Sequence, residues 1–129
     1  MRTHILSFGM LHHDPVDIAR EHNAYCVSAK RLRNPAWVKD LYKKTGLHHE
    51  VRHMVEHSKG FDEVMQLAVD TWQRAWENGQ EEVTIAFFCS HGKHRSVACA
   101  VRFEYLVNQY WWNNTEVTVT HLDQGRWAG

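Results

Sequence analysis

The chain has 129 residues, of which 43% are hydrophobic and 23% are charged, a composition typical of one globular domain. Fifteen basic residues balance fifteen acidic ones, which argues against a broad electrostatic attraction to nucleic acid. Cys26, Cys89 and Cys99 form no C-x-x-C pair, which argues against a zinc ribbon or a disulfide scaffold. Because no apolar run approaches membrane-spanning length and no secretory apolar core precedes residue 9, we expect a cytoplasmic protein without a membrane segment.

Two strands and two helices are predicted in the first half of the chain. The strands cover residues 3–8 and 24–29, and the helices cover residues 15–20 and 34–46. The pair Asn34-Pro35 favours the start of the second helix, because asparagine caps a first turn and proline fits within it. Gly46 is predicted to end that helix.

Three helices and two strands are predicted in the second half. In chain order these are the helices 48–57 and 61–78, the strand 83–88, the helix 95–110 and the strand 116–121. Residues 61–78 have a wide apolar face that includes Trp72 and Trp76, which we expect in the core. Residues 83–88 are apolar nearly throughout, as in a central strand covered on both faces.

The helix 95–110 has its own predicted apolar side, formed by Val97, Ala100, Val101, Tyr105 and Leu106. Beyond it, Trp111 and Trp112 are predicted to cover an edge of the core or to contact a second copy. The order of elements predicts a single α/β domain over residues 1–129, with a small, mostly parallel sheet flanked by helices.

The most informative stretch is the turn between the strand 83–88 and the following helix, where residues 89–97 read CSHGKHRSV. Such a turn directs several backbone N–H groups to one point, and the helix dipole adds positive potential. Lys93 and Arg95 supply full charges, and arginine can grip an oxyanion through two parallel hydrogen bonds. The pattern therefore predicts an anion-binding loop for phosphate or a phosphorylated small molecule.

The candidate ligand-binding residues of this loop are Ser90, His91, Gly92, Lys93, His94, Arg95 and Ser96. Gly92 is interpreted as a tight turn or as a point of close backbone approach. His94 is interpreted either as a ligand contact or as a side chain that packs beneath the loop. Lys30, which follows the second strand, either extends the positive pocket or forms a solvated edge.

Cys89 and Arg95 also satisfy C-x5-R followed by serine, the phosphate loop of cysteine-dependent phosphatases. In that chemistry a thiolate attacks phosphorus and a carboxylic acid on another loop protonates the leaving group. Asp14, Asp17 and Asp123 are the candidates for that acid. We keep the phosphatase as an alternative, and interpret Cys89 first as a thiol that packs inside the loop.

Residues 49–53 read HEVRH and match H-E-x-x-H, the helix of zinc proteases. In a chain with eleven histidines the match arises readily by chance, and no third ligand is evident, although His57 lies one turn further on. We interpret this segment as a solvated polar helix face and expect no metal.

Several motifs together resemble one family, the C-terminal domain of RapZ, the bacterial RNase adapter protein. Residues 89–97 are similar to its C-T-G-G-[KQ]-H-R-S-V signature, and residues 83–86 to the strand before it. SFG at 7–9, LRNPAW at 32–37 and TGL at 45–47 resemble its S-F-G, L-P-N-P-[HY]-W and T-G-L, in the same order.

The resemblance implies an α/β domain that binds a hexosamine phosphate, glucosamine-6-phosphate in the bacterial case. It also implies self-association and adapter functions towards small RNAs and proteins. The family's ATPase domain has no counterpart, because nothing in the sequence reads G-x-x-x-x-G-K-[ST]. Residues 120–129, where the family is rich in arginine and lysine, contain one basic residue, which weakens the case for RNA.

Several positions depart from the family's pattern, and three of them bear on the ligand. His91 replaces a loop glycine, Ser28 stands where the family has an aspartate, and Ala36 stands where it often has histidine. On this resemblance Ser28 joins the candidate ligand-binding residues, and the departures affect recognition of the sugar rather than of the phosphate.

We therefore predict a sensor or adapter domain without catalytic activity and without a cofactor. It is expected to bind an amino-sugar phosphate such as glucosamine-6-phosphate through its Cys-x5-Arg-Ser loop. The alternatives are a cysteine-dependent phosphatase and an RNA-binding adapter, and the domain is expected to form a homo-oligomer.

Overall fold

The computed structural model describes residues 2–109 and 115–128. Its strands are β1 (Arg2–Gly9), β2 (Ala24–Ser28), β3 (Glu82–Cys89) and β4 (Glu116–His121). Its helices are α1 (Pro15–Glu21), α2 (His49–Glu56), α3 (Phe61–Glu77) and α4 (Arg95–Asn108), and two short 3-10 helices cover Pro35–Trp37 and Gln124–Arg126. The predicted strands and the four α-helices agree with these bounds to within about two residues.

The four strands form one sheet in the order β2-β3-β1-β4, and every neighbouring pair is parallel. The α/β prediction with a mostly parallel sheet is therefore confirmed. Gly9 pairs in register with Cys89, and Ser28 pairs with Phe88. The ends of β1, β2 and β3 consequently meet at one edge, where the loop after β3 begins.

The sheet buries both of its faces at the centre, because side chains alternate along a strand. On β1, Ile5 belongs to a large apolar core with residues of α2, α3 and α4, whereas Leu6 and Phe8 pack against Ile18 of α1 on the other face. Trp72 is fully buried in the larger core, and its indole N–H donates to Thr3 Oγ1 at 3.0 Å. The expectation that Trp72 lies in the core is confirmed.

The predicted helix over residues 34–46 is wrong. Asn34 caps a single 3-10 turn as expected, since its Oδ1 accepts the Ala36 N–H at 3.0 Å, but Val38 is extended and the helix ends there. Further on, the main chain makes short local turns, such as Tyr42 N to Val38 O at 3.2 Å, and then Gly46 N donates to Lys93 O at 2.8 Å. Local turns and one tertiary contact therefore take the place of the continuous helix that local preference predicted.

The predicted apolar side of α4 is also partly wrong. Tyr105 is 51% exposed, whereas Phe103 is fully buried. The ring of Tyr105 lies under the Arg102 guanidinium, 4.8 Å from its carbon to the ring centroid. A cation over an aromatic face accounts for a tyrosine that stays at the surface. Trp111 and Trp112, for which a core edge or a copy contact was predicted, lie outside the described residues.

No helix within residues 2–109 and 115–128 is long and apolar enough to cross a membrane.

Truncation of Phe103 tests the packing of the larger core. Its ring meets Trp72 edge-on at 6.4 Å and Phe87 at 5.6 Å between centroids. We expect Phe103→Ala to lower the free energy of unfolding by about 3–5 kcal/mol, because the cavity cannot fully collapse. Urea denaturation gives this value, and Tyr105→Ala on the same helix is the control, with a change within about 0.5 kcal/mol. Equal losses for the two variants would contradict this packing.

Candidate functional site

The loop between β3 and α4 is anchored to the chain that leaves β1. Met10 N donates to Cys89 O at 2.8 Å, and Leu11 N donates to Ser90 O at 3.1 Å. These bonds extend the β1–β3 ladder past the end of both strands. They fix the direction in which residues 90–94 turn before α4 begins at Arg95.

The main-chain amides of residues 90–96 are available to a ligand. Within the described part of the chain, none of them donates to a protein acceptor. The first amides of a helix always lack an intrahelical partner, and here the loop adds further ones just before it. Amides of this kind, together with a helix dipole, can supply positive potential to an oxyanion.

Arg95 connects the loop to the end of β2. It is only 7% exposed. Its Nη1 donates to Lys30 O at 2.5 Å, and its Nη2 lies 3.4 Å from Ser90 Oγ. No carboxylate among the described residues lies within ion-pair distance of this guanidinium. A positive charge is thus largely removed from water beside a set of unbonded amides.

Cys89 and Ser96 lie at the base of the loop and are both buried. The Cys89 thiol donates to Ser96 Oγ at 3.2 Å. The contact joins the last residue of β3 to the first turn of α4, so it closes the loop at its two ends.

Gly92 faces the protein at the point where close backbone approach was predicted. It has φ +74, and a Cβ there would lie 2.5 Å from Asp123 Oδ2 and 2.6 Å from Gly9 N. The approach is therefore to the end of β1 and to a buried carboxylate. Gly9 is constrained in the same way, since its Cβ would lie 2.3 Å from the His91 carbonyl carbon.

His94 is largely buried, as expected of a side chain that packs beneath the loop. It is 7% exposed, and its Nε2 has no hydrogen-bond partner within the described part of the chain. Burial lowers the pKa of His94, the charges of Lys93 and Arg95 act in the same direction, and the carbonyls of Lys44 and Tyr42 oppose them. The neutral imidazole is therefore favoured in the folded protein.

The remaining candidates lie around the mouth of the loop. His91 is exposed, with its ring 6.4 Å from that of His12, and Lys93 is half-buried. Ser28 and Lys30 are exposed at the end of β2, where Ser28 Oγ accepts the Lys30 N–H at 3.3 Å. The structure thus brings every predicted loop residue to one edge of the sheet together with the end of β2.

The H-E-x-x-H segment lies elsewhere, on α2. His49 and His53 are exposed with ring centroids 6.1 Å apart, and Glu50 accepts from Lys44 Nζ at 2.9 Å. That hydrogen bond and charge lower the pKa of Glu50. Residues 2–109 and 115–128 contain no group of three histidine, cysteine or acidic side chains placed to hold a metal ion.

The carboxylates considered as phosphatase acids have other contacts. Asp14 caps α1 by accepting the Val16 N–H at 2.8 Å, and Asp17 is exposed in the first turn of that helix. Asp123 is buried and accepts the Gly9 N–H at 2.7 Å.

Sequence signals for the residues that support the loop from outside are weak. Gly9 and Gly46 belong to the short stretches SFG and TGL, and a Cβ on Gly46 would lie 2.5 Å from His94 O. Asp123 was considered only as a phosphatase acid, and no motif pointed to Trp127.

Taken together, the parallel sheet and the loop before α4 define an α/β domain in which a glycine-containing turn joins a central strand to a helix at the carboxyl edge of the sheet. Residues 1–125 match the model of the RapZ C-terminal domain, and the chain belongs to that family.

Curated relatives support the assignment. A "Nucleotide-binding protein" of Paenarthrobacter aurescens (strain TC1) is 32% identical over 130 residues, which cover 98% of this chain and 40% of that protein. One of Thermobifida fusca (strain YX) is 34% identical over 133 residues, covering 98% of this chain and 42% of that protein. The chain therefore spans about two fifths of the length of these relatives.

Substitution of Gly46 tests how closely the segment after β2 lies against the loop. We expect Gly46→Ala to lower the free energy of unfolding by about 1–3 kcal/mol, because the added methyl would meet main-chain atoms of α4 that cannot move away easily. The matched control is Gly125→Ala, where a Cβ meets nothing within 4 Å. We expect that control to stay within about 0.5 kcal/mol in chemical denaturation. An unchanged Gly46→Ala protein would contradict the close approach.

The buried histidines predict a pH dependence of stability. Burial lowers the pKa of both His94 and His121, so below about pH 6.5 the unfolded chain takes up protons before the folded one. The free energy of unfolding should therefore be fully retained above pH 6.5 and fall as the pH drops towards the folded pKa values. Urea denaturation at pH 7.5 and 5.5 measures this difference. His94→Gln should reduce it, and an undiminished slope in that variant would count against the buried neutral imidazole.

Proposed function

We propose that this domain binds a phosphorylated small metabolite at residues 90–96 and acts as a sensor or adapter without catalytic activity. The amides of these residues and the Arg95 guanidinium hold the phosphate, and Lys93 neutralises part of its charge. The observation that carries the proposal is the buried Arg95 side chain, which has no carboxylate partner among the described residues and lies beside unbonded amides.

The energetics favour an anionic ligand at this place. A guanidinium carries five N–H donors, and Arg95 uses two of them on Lys30 O and Ser90 Oγ. Burying a charge without a counter-ion costs free energy. A bound phosphate offsets that cost and accepts hydrogen bonds from the remaining N–H donors. Both contacts to protein oxygens also hold the guanidinium in place before the ligand arrives, which reduces the entropy lost on binding.

The non-phosphate part of the ligand would face Ser28, Lys30 and His91. An amino-sugar phosphate such as glucosamine-6-phosphate is the ligand that the family relationship suggests. A neutral serine at position 28 cannot pair with an ammonium group as the family's aspartate could. We therefore infer that the phosphate supplies most of the affinity and that the amino group adds little.

The adapter role rests on the family alone, and the proposed cytoplasmic location rests on the sequence pattern described above. The relatives that match are named nucleotide-binding proteins, and this chain covers only part of their length, so nucleotide binding is a weaker proposal for it than phosphate binding. RNA binding is weaker still, because the chain has no net charge and nucleic-acid affinity depends on excess basic residues. Self-association remains a proposal that native mass spectrometry can test.

Calorimetry with a matched arginine pair tests the proposed function. We expect glucosamine-6-phosphate, glucose-6-phosphate and inorganic phosphate to bind, and glucosamine not to bind. Arg95→Ala should weaken binding at least about tenfold, since it removes charge-assisted hydrogen bonds. Arg102→Ala, on the same helix and stacked on Tyr105, should leave affinity unchanged. Equal affinity for glucosamine and its phosphate would refute the site as described.

A turnover assay decides between binding and hydrolysis. The Cys89–Ser96 contact of 3.2 Å is the contact that a cysteine phosphatase would use to assist departure of the thiolate. We expect no hydrolysis of an aryl phosphate by the folded protein. Vanadate-sensitive turnover that disappears in Cys89→Ser would overturn the sensor proposal and favour the phosphatase.

A further inference from the structure

The turn that follows β4 contacts the proposed anion loop at Gly92. Here Asp123 has a fully buried side chain, although it lies in a short turn after β4 that is otherwise largely exposed. Its Oδ2 accepts the Gly9 N–H at 2.7 Å. Its Oδ1 lies 2.9 Å from His13 Nε2 and 3.2 Å from Arg126 Nε.

The same carboxylate packs directly on the loop. A Cβ on Gly92 would lie 2.5 Å from Asp123 Oδ2, so the oxygen occupies the space that any side chain at position 92 would need. Four residues further along the turn, the Trp127 indole N–H donates to Gly92 O at 3.1 Å. The indole ring itself rests against His121, with 5.5 Å between ring centroids.

We propose that Asp123 is a positioning residue for the anion loop, and that Trp127 assists it. The carboxylate fixes Gly9 and fills the space behind Gly92, while the indole fixes the Gly92 carbonyl. Because the Gly92 carbonyl is held by the Trp127 indole, residues 90–96 keep the conformation that a phosphate requires. This inference rests on the proposed function, since it explains how that site keeps its shape.

Charge repulsion and the proposed positioning role predict opposite changes in ligand affinity when Asp123 is removed. A carboxylate near an anion site repels the ligand, so its removal should raise affinity if charge were its main influence. A positioning role predicts that affinity falls on removal, because the amides lose their preorganised arrangement. The direction of the change therefore separates the two effects.

The experiment measures binding of inorganic phosphate and glucosamine-6-phosphate by calorimetry. We expect Asp123→Ala to weaken binding about tenfold, as supporting groups around a binding site commonly do. Asp123→Asn should lose less, because one amide oxygen can still accept the Gly9 N–H. Trp127→Phe, which removes only the indole donor, should weaken binding about threefold and covers the case in which Asp123→Ala fails to fold.

Thr3→Val is the matched control for a purely structural role. It removes a buried hydrogen bond to Trp72 at the opposite end of β1, so it should lower the melting temperature and leave affinity unchanged. Affinity that is equal or higher in folded Asp123→Ala, or a loss as large in Thr3→Val, would overturn the proposal.

A second readout keeps the inference separate from the proposed function. Amide resonances of residues 90–94 should shift or broaden in Asp123→Ala and in Trp127→Phe, without ligand, and remain in place in Thr3→Val. If the wild-type protein binds no phosphate but these shifts occur, the proposed function fails and the positioning role stands. If the resonances stay in place in both loop-side variants, the positioning role is wrong whatever the protein binds.

Discussion

The main chain at the end of β1 lies so close to the loop after β3 that neither Gly9 nor Gly92 has room for a Cβ atom. This contact follows from the sheet. Because β1 and β3 are neighbours in parallel register, Gly9 lies opposite Cys89, and both chains leave the sheet at the same place. The loop can turn away only over the end of β1, and that turn sets where α4 begins. The positions of the amides and of Arg95 depend on it.

Two sources of positive potential meet at this turn, the backbone amides and the Arg95 guanidinium. The amide dipoles belong to the backbone and cannot be neutralised by a change of side chain. The Arg95 charge is carried by a long, flexible side chain, but its hydrogen bonds to Lys30 O and Ser90 Oγ hold the guanidinium in place. Burial of 93% of its surface limits screening by solvent, so its interaction with an anion is stronger than that of a surface arginine.

Much of the fold could be predicted from the sequence because strand and helix patterns here are local. Residues 116–121 alternate valine and threonine, and β4 has those bounds. The segment 34–46 could not be predicted, since it folds as short local turns and its last residue, Gly46, donates to Lys93 O in the loop before α4, a tertiary contact that no local pattern encodes. The prediction that Tyr105 lies on the apolar side of α4 was wrong for a related reason. An aromatic residue counts as apolar in a sequence pattern, yet the neighbouring Arg102 stacks on its ring at the surface.

The candidate site divides in the same way. Its charged and small residues could be recognised because strand, glycine turn and helix follow one another directly in the chain. The residues that support the loop come from three other segments, and only the fold brings them there. Asp123 illustrates the limit, since an aspartate in a polar turn near a terminus usually reads as a solvated cap, while here it is 1% exposed.

Most matches to the family signature are buried, and the departures that concern the sugar are exposed. Cys89, Gly92, His94, Arg95 and Ser96 match the signature and are buried, while Lys93 matches it and is half-buried. Ser28, Ala36 and His91 depart from the pattern and are exposed. Buried residues fix the shape of the loop, so a change there would disturb its amides and the start of α4. Exposed side chains at the mouth can change without that cost, because they touch only solvent or the outer part of a ligand. For the proposed site, the physical consequence is that the residues assigned to the phosphate and the side chains around the mouth can vary independently.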